Sequence, residues 1–450
     1  MITDVLNVLI TKLNNILWGI PAIVFLTVVG VILGFSMKFL PFRNLPLVFK
    51  RTLGSLGKSS SSSEVGTISQ FGAVCASLAA TVGMGNIVGV AAAICTGGPG
   101  AVFWMIIAAF LGATMKYYEI ALTIMYREQN EVGEYRGGPS MYVEKGLGIK
   151  WLGALMTILT ALACLVSNMI QSNTFITNFN SIVPVTANLY VEGVILAIII
   201  GIIVVGGIKR LGVISEILVP IMALSYLLFG IVVLAVNAKQ IPETLVAVVT
   251  GAFTPVAVGG GAIGYGFSYA IRYGFARGFF SNGGGQAIFS IAHAPAKVDN
   301  PIEQAIWAIP EIFIDCAICL ISALTVLTSG LPLDSEVSAT LVNKAFAQTY
   351  GPLEYIVCFA LLLFSFTTIA GFGYMGEAQL STLIKPRYIK VYRALFIVLC
   401  FIGCISKPST MWNMVDVIFG IIMFVNLPIL VIQRKKVIAL TQKYFAQIQK

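Results

Sequence analysis

Long apolar runs recur along this sequence and decide what it can fold into. A helix that crosses the hydrocarbon of a bilayer needs about 20 mostly apolar residues. Eleven such runs lie at about 16–37, 70–94, 99–127, 151–181, 190–208, 213–236, 262–282, 303–329, 353–382, 389–406 and 411–433. The sequence therefore predicts an all-α integral membrane protein with 11 transmembrane helices.

The composition excludes several other classes of protein. Hydrophobic residues make up 58% of the 450 residues and charged residues only 10%, whereas soluble proteins carry about 25% charged residues. A soluble enzyme is therefore excluded, as is a disordered chain, which needs low hydrophobicity. The net charge of +9 follows from the topology of the loops, so no nucleic-acid partner is predicted.

Basic residues are distributed unevenly between the two sides of the predicted spans. Of the 28 Lys and Arg residues, 21 fall in loops on one side and four in loops on the other. Basic loops mark the cytoplasmic side of a membrane. We therefore predict a multi-pass protein of the cell membrane with its amino terminus outside and its carboxyl terminus in the cytoplasm. Residues 1–15 alternate at helical spacing, which predicts an interfacial helix.

The eight cysteines and the single histidine form no pattern typical of a metal site. Cys316 and Cys319 are three residues apart, but no second pair or histidine cluster accompanies them. Most of the cysteines lie in apolar runs and are interpreted as small buried thiols. His293 follows a glycine-rich turn and is interpreted as structural. No cofactor is predicted.

Two predicted spans contain polar or glycine residues where a simple membrane helix avoids them. Gly83, Gly85 and Asn86 lie in the second span, and Gly274 and Gly278 lie in the seventh. Five spans separate the two starts, and the two spans enter the membrane from opposite sides. Paired interruptions of this kind are typical of a transporter built from an inverted repeat. The alternative is that the glycines only permit close helix packing.

The repeat predicts four parts of the chain. They are residues 1–69 (interfacial helix, extra span and a cytoplasmic linker with the polar stretch 58–64), 70–240 (first five-helix repeat), 241–433 (second, inverted repeat) and 434–450 (cytoplasmic tail). The segment 331–350 is expected to form a short outer helix over the site.

Interrupted membrane helices indicate a binding site for physical reasons. An unpartnered backbone N–H or C=O costs several kcal/mol in lipid, so an interruption persists only where a ligand, water or another protein group satisfies it. The amino-terminal end of a half-helix suits a carboxylate, and free carbonyls at a carboxyl-terminal end suit a cation. Two interruptions therefore predict a central site for a zwitterion and a metal ion.

Polar residues in other spans are candidates for the same site. Ser167, Gln171, Thr174 and Asn178 recur at helical spacing and form a stripe that must face the interior. Gln171 is the candidate substrate group because it is the long side chain closest to mid-membrane. Hydrogen bonding between helices is the alternative explanation of the stripe.

Two neighbouring hydroxyls are candidates for a sodium site. Thr367 and Thr368 precede an Ala-Gly pair in the ninth span. Hydroxyls and carbonyls form the hard oxygen cage that Na⁺ prefers. The alternative is that both hydroxyls bond back to their own helix.

Charged residues inside spans are functional candidates because they are costly there. Glu311 and Asp315 are four residues apart and share a face, and Asp315 is the candidate for an ion path or gate. Arg272 and Arg277 in the seventh span either snorkel, pair with acids as a gate, or position the interruption.

Three further acidic residues are expected to be structural. Glu119 follows Lys116 by three residues, a spacing that predicts an ion pair within the third span. Glu377 in the ninth span and Asp416 in the eleventh are also expected to be structural.

Several motifs together resemble the alanine or glycine:cation symporter family over about residues 60–430. The matching stretches are 80–94, 97–112, 136–148, 277–294, 311–316 and 366–377. The chain departs from the family pattern at Met84, Ile106, Gly283, Cys316 and Phe372. No role is carried over at Gly283, where the family usually has Glu.

The resemblance implies a leucine-transporter-type fold and assigns roles to individual residues. It implies that the backbone from Gly83 through Gly85 to Asn86 binds the carboxylate of an amino acid and that Asn86 is a possible ligand of a second cation. It implies a sodium site from the carbonyls of Ala79 and Val82 with Thr367 and Thr368, and a substrate site lined by Gly274 and Phe275 beside Thr81.

The predicted function is sodium-coupled symport of alanine or glycine into the cell by alternating access. Na⁺ is preferred to H⁺ because a cage of hydroxyls and carbonyls does not titrate, while Asp315 keeps proton coupling as an alternative. A membrane-embedded enzyme lacks a nucleophile–base pair or metal set. A channel is commonly a symmetric oligomer around a pore, which two unlike interruptions in one chain do not suggest. The expected partners are Na⁺, the amino acid and the lipid bilayer, and the sequence does not indicate an oligomeric state.

Overall fold

Helices make up nearly all of the structure. The computed structural model describes residues 10, 12–56, 65–83, 85–130, 133–183, 188–204, 207–254, 266–333 and 338–448. Most of the predicted interfacial helix and the polar stretch 58–64 lie outside the described residues.

The helices of the first half are separated by short turns and one small sheet. They are α1 (Ile20–Ser36), α2 (Leu40–Arg43), α3 (Leu45–Arg51), α4 (Gln70–Thr81), α5 (Val90–Gly97), α6 (Gly100–Tyr126), α7 (Pro139–Leu147), α8 (Lys150–Ile182), α9 (Leu189–Val204) and α10 (Gly207–Val236). A 3₁₀ turn spans Leu53–Ser55 and a π-helical turn spans Gly85–Gly89. Strands β1 (Glu128–Gln129) and β2 (Tyr135–Arg136) pair antiparallel, Glu128 with Arg136.

The second half continues with helices of very different length. They are α11 (Ile241–Phe253), α12 (Gly266–Asn282), α13 (Pro301–Ala305), α14 (Ala308–Thr328), α15 (Ser338–Thr349), α16 (Leu353–Leu380), α17 (Pro386–Ile405) and α18 (Pro408–Ile448). Short 3₁₀ turns span Ala238–Gln240 and Ile288–His293. Helix α15 confirms the predicted short helix within 331–350, and α18 extends the last span through most of the predicted tail.

All eleven predicted spans are helical over most of their described length. Seven helical segments are long and apolar enough to cross a membrane, or eight if the bent pair Gln70–Thr81 and Gly85–Gly97 forms one span. The other three predicted spans correspond to α1, α9 and α12, of 17, 16 and 17 residues. A membrane protein with many spans is therefore confirmed, although length and apolarity alone identify only eight of them among the described residues.

The predicted interruption at Gly274 and Gly278 is wrong, because α12 runs unbroken through both glycines. A Cβ atom on Gly274 would lie 2.5 Å from the carbonyl oxygen of Ala101, and one on Gly278 would lie 2.7 Å from Cβ of Ala108. Both glycines therefore allow α12 to pack closely on α6, which was the alternative explanation. The sequence alone does not show whether a glycine breaks a helix or lets a second helix pack closely, because it does not show which helix lies beside it.

The chain leaves the helix after Asn282 instead. Gly283 and Gly285 have φ values of +71° and +84°, and Ala287 has φ of +64°. This left-handed backbone is accessible to glycine at little cost, and it separates α12 from the 3₁₀ turn Ile288–His293. We call residues 283–287 the second interruption.

Replacing Gly274 with alanine tests the packing explanation. The added methyl group would overlap the backbone of α6, and overpacking of this kind costs about 1–3 kcal/mol. We expect a lower thermal unfolding temperature in detergent for Gly274→Ala. Gly351→Ala is the matched control because no atom lies within 4 Å of its added Cβ. Equal unfolding temperatures for the two variants would contradict the close approach of α12 and α6.

The long helices associate in two groups. Helices α6, α12 and α14 contact one another, α14 also contacts α4 and the turn Gly85–Gly89, and α8 packs extensively on α16, α17 and α18. Helix α16 also contacts α4, so the two groups meet beside the interruption in the second span.

A polar junction fixes the chain just before α4. Residues 65–68 run beside residues 295–298, with a parallel bridge between Ile68 and Ala296. The guanidinium group of Arg127 donates hydrogen bonds of 2.5–2.9 Å to the carbonyl oxygens of Val65, Ala294, Ala296 and Val298. The start of the interrupted second span is thereby tied to the segment that follows the second interruption.

Candidate functional site

The second span is interrupted where the sequence predicts. Helix α4 ends at Thr81, and Val82 leaves the helical region with ψ of 94°. The chain resumes as a π-helical turn from Gly85 and continues into α5, with a bend of 51° between the two helical parts. We call residues 82–86 the first interruption; Met84 lies outside the described residues.

Side chains satisfy backbone groups at the first interruption. The N–H of Gly83 donates to Oδ1 of Asn86 over 3.1 Å, and the N–H of Asn86 donates to the carbonyl oxygen of Gly83 over 3.2 Å. The carbonyl oxygen of Ala79 accepts a hydrogen bond of 2.9 Å from the Thr368 hydroxyl. Helix α4 is therefore joined to α16 where its own hydrogen bonding ends.

Four oxygen atoms meet at this junction. The Thr368 hydroxyl oxygen lies 2.7 Å from the carbonyl oxygen of Phe364 and 2.9 Å from that of Ala79, so its single proton is shared between them. The Thr367 hydroxyl lies 3.1 Å from the same Phe364 oxygen. Both threonines are buried. Carbonyl and hydroxyl oxygens are ligands that a hard cation selects, so this cluster is suited to Na⁺. We call these four oxygens the oxygen cluster.

The oxygen cluster differs in two respects from the set named from the sequence. The Phe364 carbonyl was not predicted, although the three- and four-residue spacing from the threonines could have indicated it. Within the described part of the chain, the Thr367 hydroxyl bonds back to its own helix, at Leu363 and Phe364, as the alternative explanation expected. The Thr368 hydroxyl contacts both its own helix and Ala79. Val82 is buried and adjoins Gly83, where an added Cβ would lie 2.6 Å from the Thr368 hydroxyl.

Asp315 joins the first interruption to the end of α12. Its Oδ1 accepts from Nδ2 of Asn86 over 2.5 Å, and its Oδ2 accepts from the hydroxyl of Ser281 over 2.9 Å. The Cys319 sulfur lies 3.1 Å from the Ser281 hydroxyl. All four side chains are buried. Ser281, Asp315 and Cys319 also line a narrow cavity between α6, α12 and α14.

Helix α12 approaches the first interruption through residues that the sequence interpretation missed. A Cβ atom on Gly85 would lie 3.0 Å from the ring of Phe280 and 3.7 Å from Cα of Ser281. Gly274 and Phe275, the residues predicted to line the substrate, instead face α6. The ring of Phe275 lies 5.8 Å from that of Trp104 and borders an apolar cleft beside α1. The misplaced interruption explains the shift, because seven residues of helix span about 10 Å.

The predicted polar stripe of α8 faces the interior. Ser167, Gln171, Thr174 and Asn178 are all buried. Asn178 accepts from Nδ2 of Asn343 in α15 over 2.9 Å, so one end of the stripe does bond between helices. In contrast, Oε1 of Gln171 and the hydroxyl of Ser167 have no hydrogen-bond partner among the described residues. These two polar atoms remain available to water or a ligand.

Three other candidate residues have direct partners in the protein. The Thr81 hydroxyl donates to the Ser77 carbonyl oxygen over 3.1 Å. Arg277 pairs with Asp416 through contacts of 3.2 and 2.5 Å and lies 4.6 Å from the ring of Trp412. Arg272 donates to Oδ1 of Asn15 over 2.7 Å. Arg277 is thus a buried ion-paired residue, and Arg272 contacts the segment before α1.

The predicted ion pair between Lys116 and Glu119 is wrong. Lys116 pairs with Glu311 over 2.7 Å, while Oε1 of Glu119 accepts from the N–H of Ala287 and from Nδ2 of Asn426. The spacing of three residues made Glu119 a possible partner of Lys116, but Glu311 on the facing helix α14 places its carboxylate within 2.7 Å of the Lys116 ammonium group.

Comparison with known proteins identifies relatives over the whole chain. The model of the sodium:alanine symporter family matches residues 3–450. An uncharacterized transporter of Haemophilus influenzae is 35% identical over 451 residues, which cover 98% of this chain and 96% of that protein. The sodium/alanine symporter AgcS of Methanococcus maripaludis is 34% identical over 457 residues, covering 98% of each chain.

A solved structure has a similar fold. It is a nucleobase-cation-symport-1 family transporter in a closed conformation with bromovinylhydantoin bound. The two structures align with a TM-score of 0.52 over 78% of this chain and 75% of the other, at 13% sequence identity. At that identity the likeness concerns the fold alone, which is that of a membrane transporter.

Proposed function

This chain belongs to the sodium:alanine symporter family, and on that premise we propose that it carries alanine and glycine into the cell together with Na⁺. Its relatives are transporters, and it is a multi-pass membrane protein. Transport would proceed by alternating access, in which a central site opens to one side of the membrane at a time. The sodium ion would be a co-substrate, and no cofactor takes part.

The proposal includes an architecture of eleven spans. One extra span within residues 1–69 would precede two inverted five-helix repeats, residues 70–240 and 241–433, in a leucine-transporter-type arrangement. The amino terminus would lie outside the cell, and residues 434–450 would lie in the cytoplasm. The first interruption, at 82–86, supports this arrangement because it lies within the opening span of the first repeat. The second interruption, at 283–287, directly follows the opening span of the second repeat.

The oxygen cluster is the observation that carries the proposal. A sodium ion there would be held by the carbonyls of Ala79 and Phe364 and by the hydroxyls of Thr367 and Thr368, with Val82 completing the site. The Thr368 hydroxyl now donates to Ala79 and would rotate so that its oxygen faces the ion. The ion would replace a neutral hydrogen bond with a stronger charge–dipole link between α4 and α16.

The amino acid would bind beside the ion, on the first interruption. Backbone N–H groups from Gly83 through Gly85 to Asn86 would meet its carboxylate, near Thr81. Gln171, whose buried Oε1 has no hydrogen-bond partner in the part of the chain that the structure describes, would accept a hydrogen bond from the ammonium group. Phe280 and Ser281 take the role first assigned to Gly274 and Phe275. The bulk of Phe280 beside Gly85 favours a small side chain on the substrate.

Two effects would couple alanine transport to sodium: Na⁺ binds before the amino acid and forms its site, and the membrane potential draws the ion inward. Na⁺ would join α4 to α16 and thereby fix the first interruption in the shape that binds the amino acid. Each positive charge moved inward gains about 2.3 kcal/mol per 100 mV, which corresponds to about fiftyfold accumulation.

Proton coupling is the second candidate, and Asp315 is the observation that favours it. This buried carboxylate bridges Asn86 and Ser281 and borders a cavity, so it could exchange a proton. With its carboxylate ionised, Asp315 could instead ligate a second cation together with Asn86. We also propose that Asp315 acts as a gate or lies on the ion path. Arg272 and Arg277 are proposed as further gating residues.

Uptake of radiolabelled alanine into proteoliposomes tests the function. We expect uphill accumulation with an inward sodium gradient and none when choline replaces sodium. In a second arm, a proton gradient is imposed with the same sodium concentration on both sides of the membrane. Excess unlabelled glycine should reduce the uptake of labelled alanine. Uptake driven by the proton gradient alone would favour the second candidate. Flow that never exceeds equilibrium would indicate a channel, and chemical conversion of alanine would indicate an enzyme.

A further inference from the structure

A buried ion pair lies between the two interruptions and outside the site described above. Nζ of Lys116 in α6 is 2.7 Å from Oε1 of Glu311 in α14, and each side chain is only 1% exposed. Two charges removed from water in this way are costly, and replacing such a pair by well-packed hydrophobic side chains of similar volume is often harmless to stability. Stability is therefore a weak explanation for the presence of this pair.

The contacts of the pair reach the first interruption through α4. The Ser77 hydroxyl donates to Oε1 of Glu311, the same oxygen that Lys116 contacts. Ser77 lies about one turn before the end of α4 at Thr81. Asp315, one turn further along α14, holds Asn86 on the other side of the interruption. Helix α14 thus contacts the second span through hydrogen bonds at Ser77, before the first interruption, and at Asn86, where the interruption ends.

The same pair reaches both ends of the second interruption. Nζ of Lys116 lies 3.4 Å from the carbonyl oxygen of Asn282, the last residue of α12, and 5.5 Å from the ring centre of Phe289. Nε2 of His293 lies 3.4 Å from Oε2 of Glu311, a looser contact than a short hydrogen bond. A cation at the carboxyl-terminal end of α12 also stabilises the helix dipole there.

From these contacts we infer that Lys116 and Glu311 are positioning residues for transport. The pair touches α4, α6, α12, α14 and the 3₁₀ turn after the second interruption, so it holds both interruptions in a fixed mutual arrangement. The sodium ion and the amino acid then meet a site that is already formed. Without the pair, ligand binding must itself order the interruptions, and apparent affinity falls by the fraction of molecules that are competent to bind.

Variants can separate this role from a structural one. The double variant Lys116→Met with Glu311→Gln removes both charges, so neither is left buried and unpaired. The control is Arg393→Met with Glu377→Gln, which removes a half-buried ion pair of 2.6 Å between α17 and α16 and touches neither Lys116 nor Glu311. Ser77→Ala removes only the link from α4 to Glu311 and introduces no charge imbalance.

Two measurements are made on the purified full-length protein. The first measurement is sodium-driven alanine uptake, and it rests on the proposed function. In the Lys116/Glu311 double variant we expect the half-saturating concentrations of sodium and alanine to rise about tenfold. The maximal rate of uptake should change less. The second is amide hydrogen exchange, which needs no transport; we expect faster exchange at residues 82–86 and 283–287 in this variant and unchanged exchange there in the control. Ser77→Ala should accelerate exchange at 82–86 only.

The outcomes distinguish the inference from the proposed function. Absence of uptake by the wild-type protein would remove the proposed function, while hydrogen exchange would still test the positioning role. A folded double variant with wild-type exchange at both interruptions would overturn the inference. If the double variant does not fold, Ser77→Ala decides, and unchanged exchange at 82–86 would overturn the inference.

Discussion

Replacing Thr368 with valine is expected to weaken sodium-dependent alanine uptake severely and leave the protein folded. Valine has nearly the shape of threonine but no side-chain oxygen, so the oxygen cluster loses the hydroxyl that links α16 to the Ala79 carbonyl. Loss of a buried polar partner costs about 1–3 kcal/mol, which corresponds to a rise of up to about a hundredfold in the half-saturating sodium concentration. Uptake against sodium concentration in proteoliposomes measures the effect.

The control for Thr368→Val is another buried threonine. Thr328→Val in α14 also removes a hydroxyl that bonds to its own helix, at the Leu324 carbonyl, but lies outside the oxygen cluster. We expect near-normal sodium dependence for this control. Thr367→Val should weaken sodium activation as well, because Thr367 shares the Phe364 oxygen. Normal sodium activation in both Thr367→Val and Thr368→Val would refute the proposed sodium site.

Replacing Asp315 with asparagine is expected to reduce transport about tenfold or more. Asp315 uses both carboxylate oxygens as acceptors, from Asn86 and from Ser281. Asparagine offers one acceptor oxygen and one donor group, so one of the two hydrogen bonds is lost and a buried donor can be left unsatisfied, at about 1–3 kcal/mol. Initial rates of sodium-driven alanine uptake measure the loss.

The asparagine variant also separates sodium coupling from proton coupling. If Na⁺ is the coupling ion, the residual uptake of Asp315→Asn should still depend on the sodium gradient. If Asp315 carries the coupling proton, this variant should lose all gradient-driven uptake and retain exchange of alanine across the membrane. Glu377→Gln is the control, because its carboxylate pairs with Arg393 away from the interruptions. Wild-type rates in Asp315→Asn would show that Asp315 is not needed for transport.

Features that depend on neighbours in sequence were predictable. The long apolar runs gave the spans because crossing lipid requires about 20 apolar residues whatever surrounds them. The first interruption was predictable because Gly83, Gly85 and Asn86 weaken one helix at one place. Helical spacing placed Gln171 in a buried stripe, and it placed Glu311 and Asp315 on one face.

Features that depend on a second helix were not predictable in the same way. Gly274 is equally suited to a break and to a close approach, and only the presence of α6 within 2.5 Å of its Cβ position decided between them. The second interruption therefore moved to 283–287, and the residues beside Gly85 became Phe280 and Ser281.

The sequence by itself determined that this chain crosses a membrane many times, that its second span is broken, and that the polar stripe of α8 is buried, because periodicity and apolar length are local properties. Only the tertiary structure decided which buried groups meet. Lys116 contacts Glu311 rather than Glu119, and Thr368 contacts the Ala79 carbonyl. Such pairs are set by the packing of helices that are far apart in sequence, where a buried charge or hydroxyl takes the partner that lies within hydrogen-bonding distance.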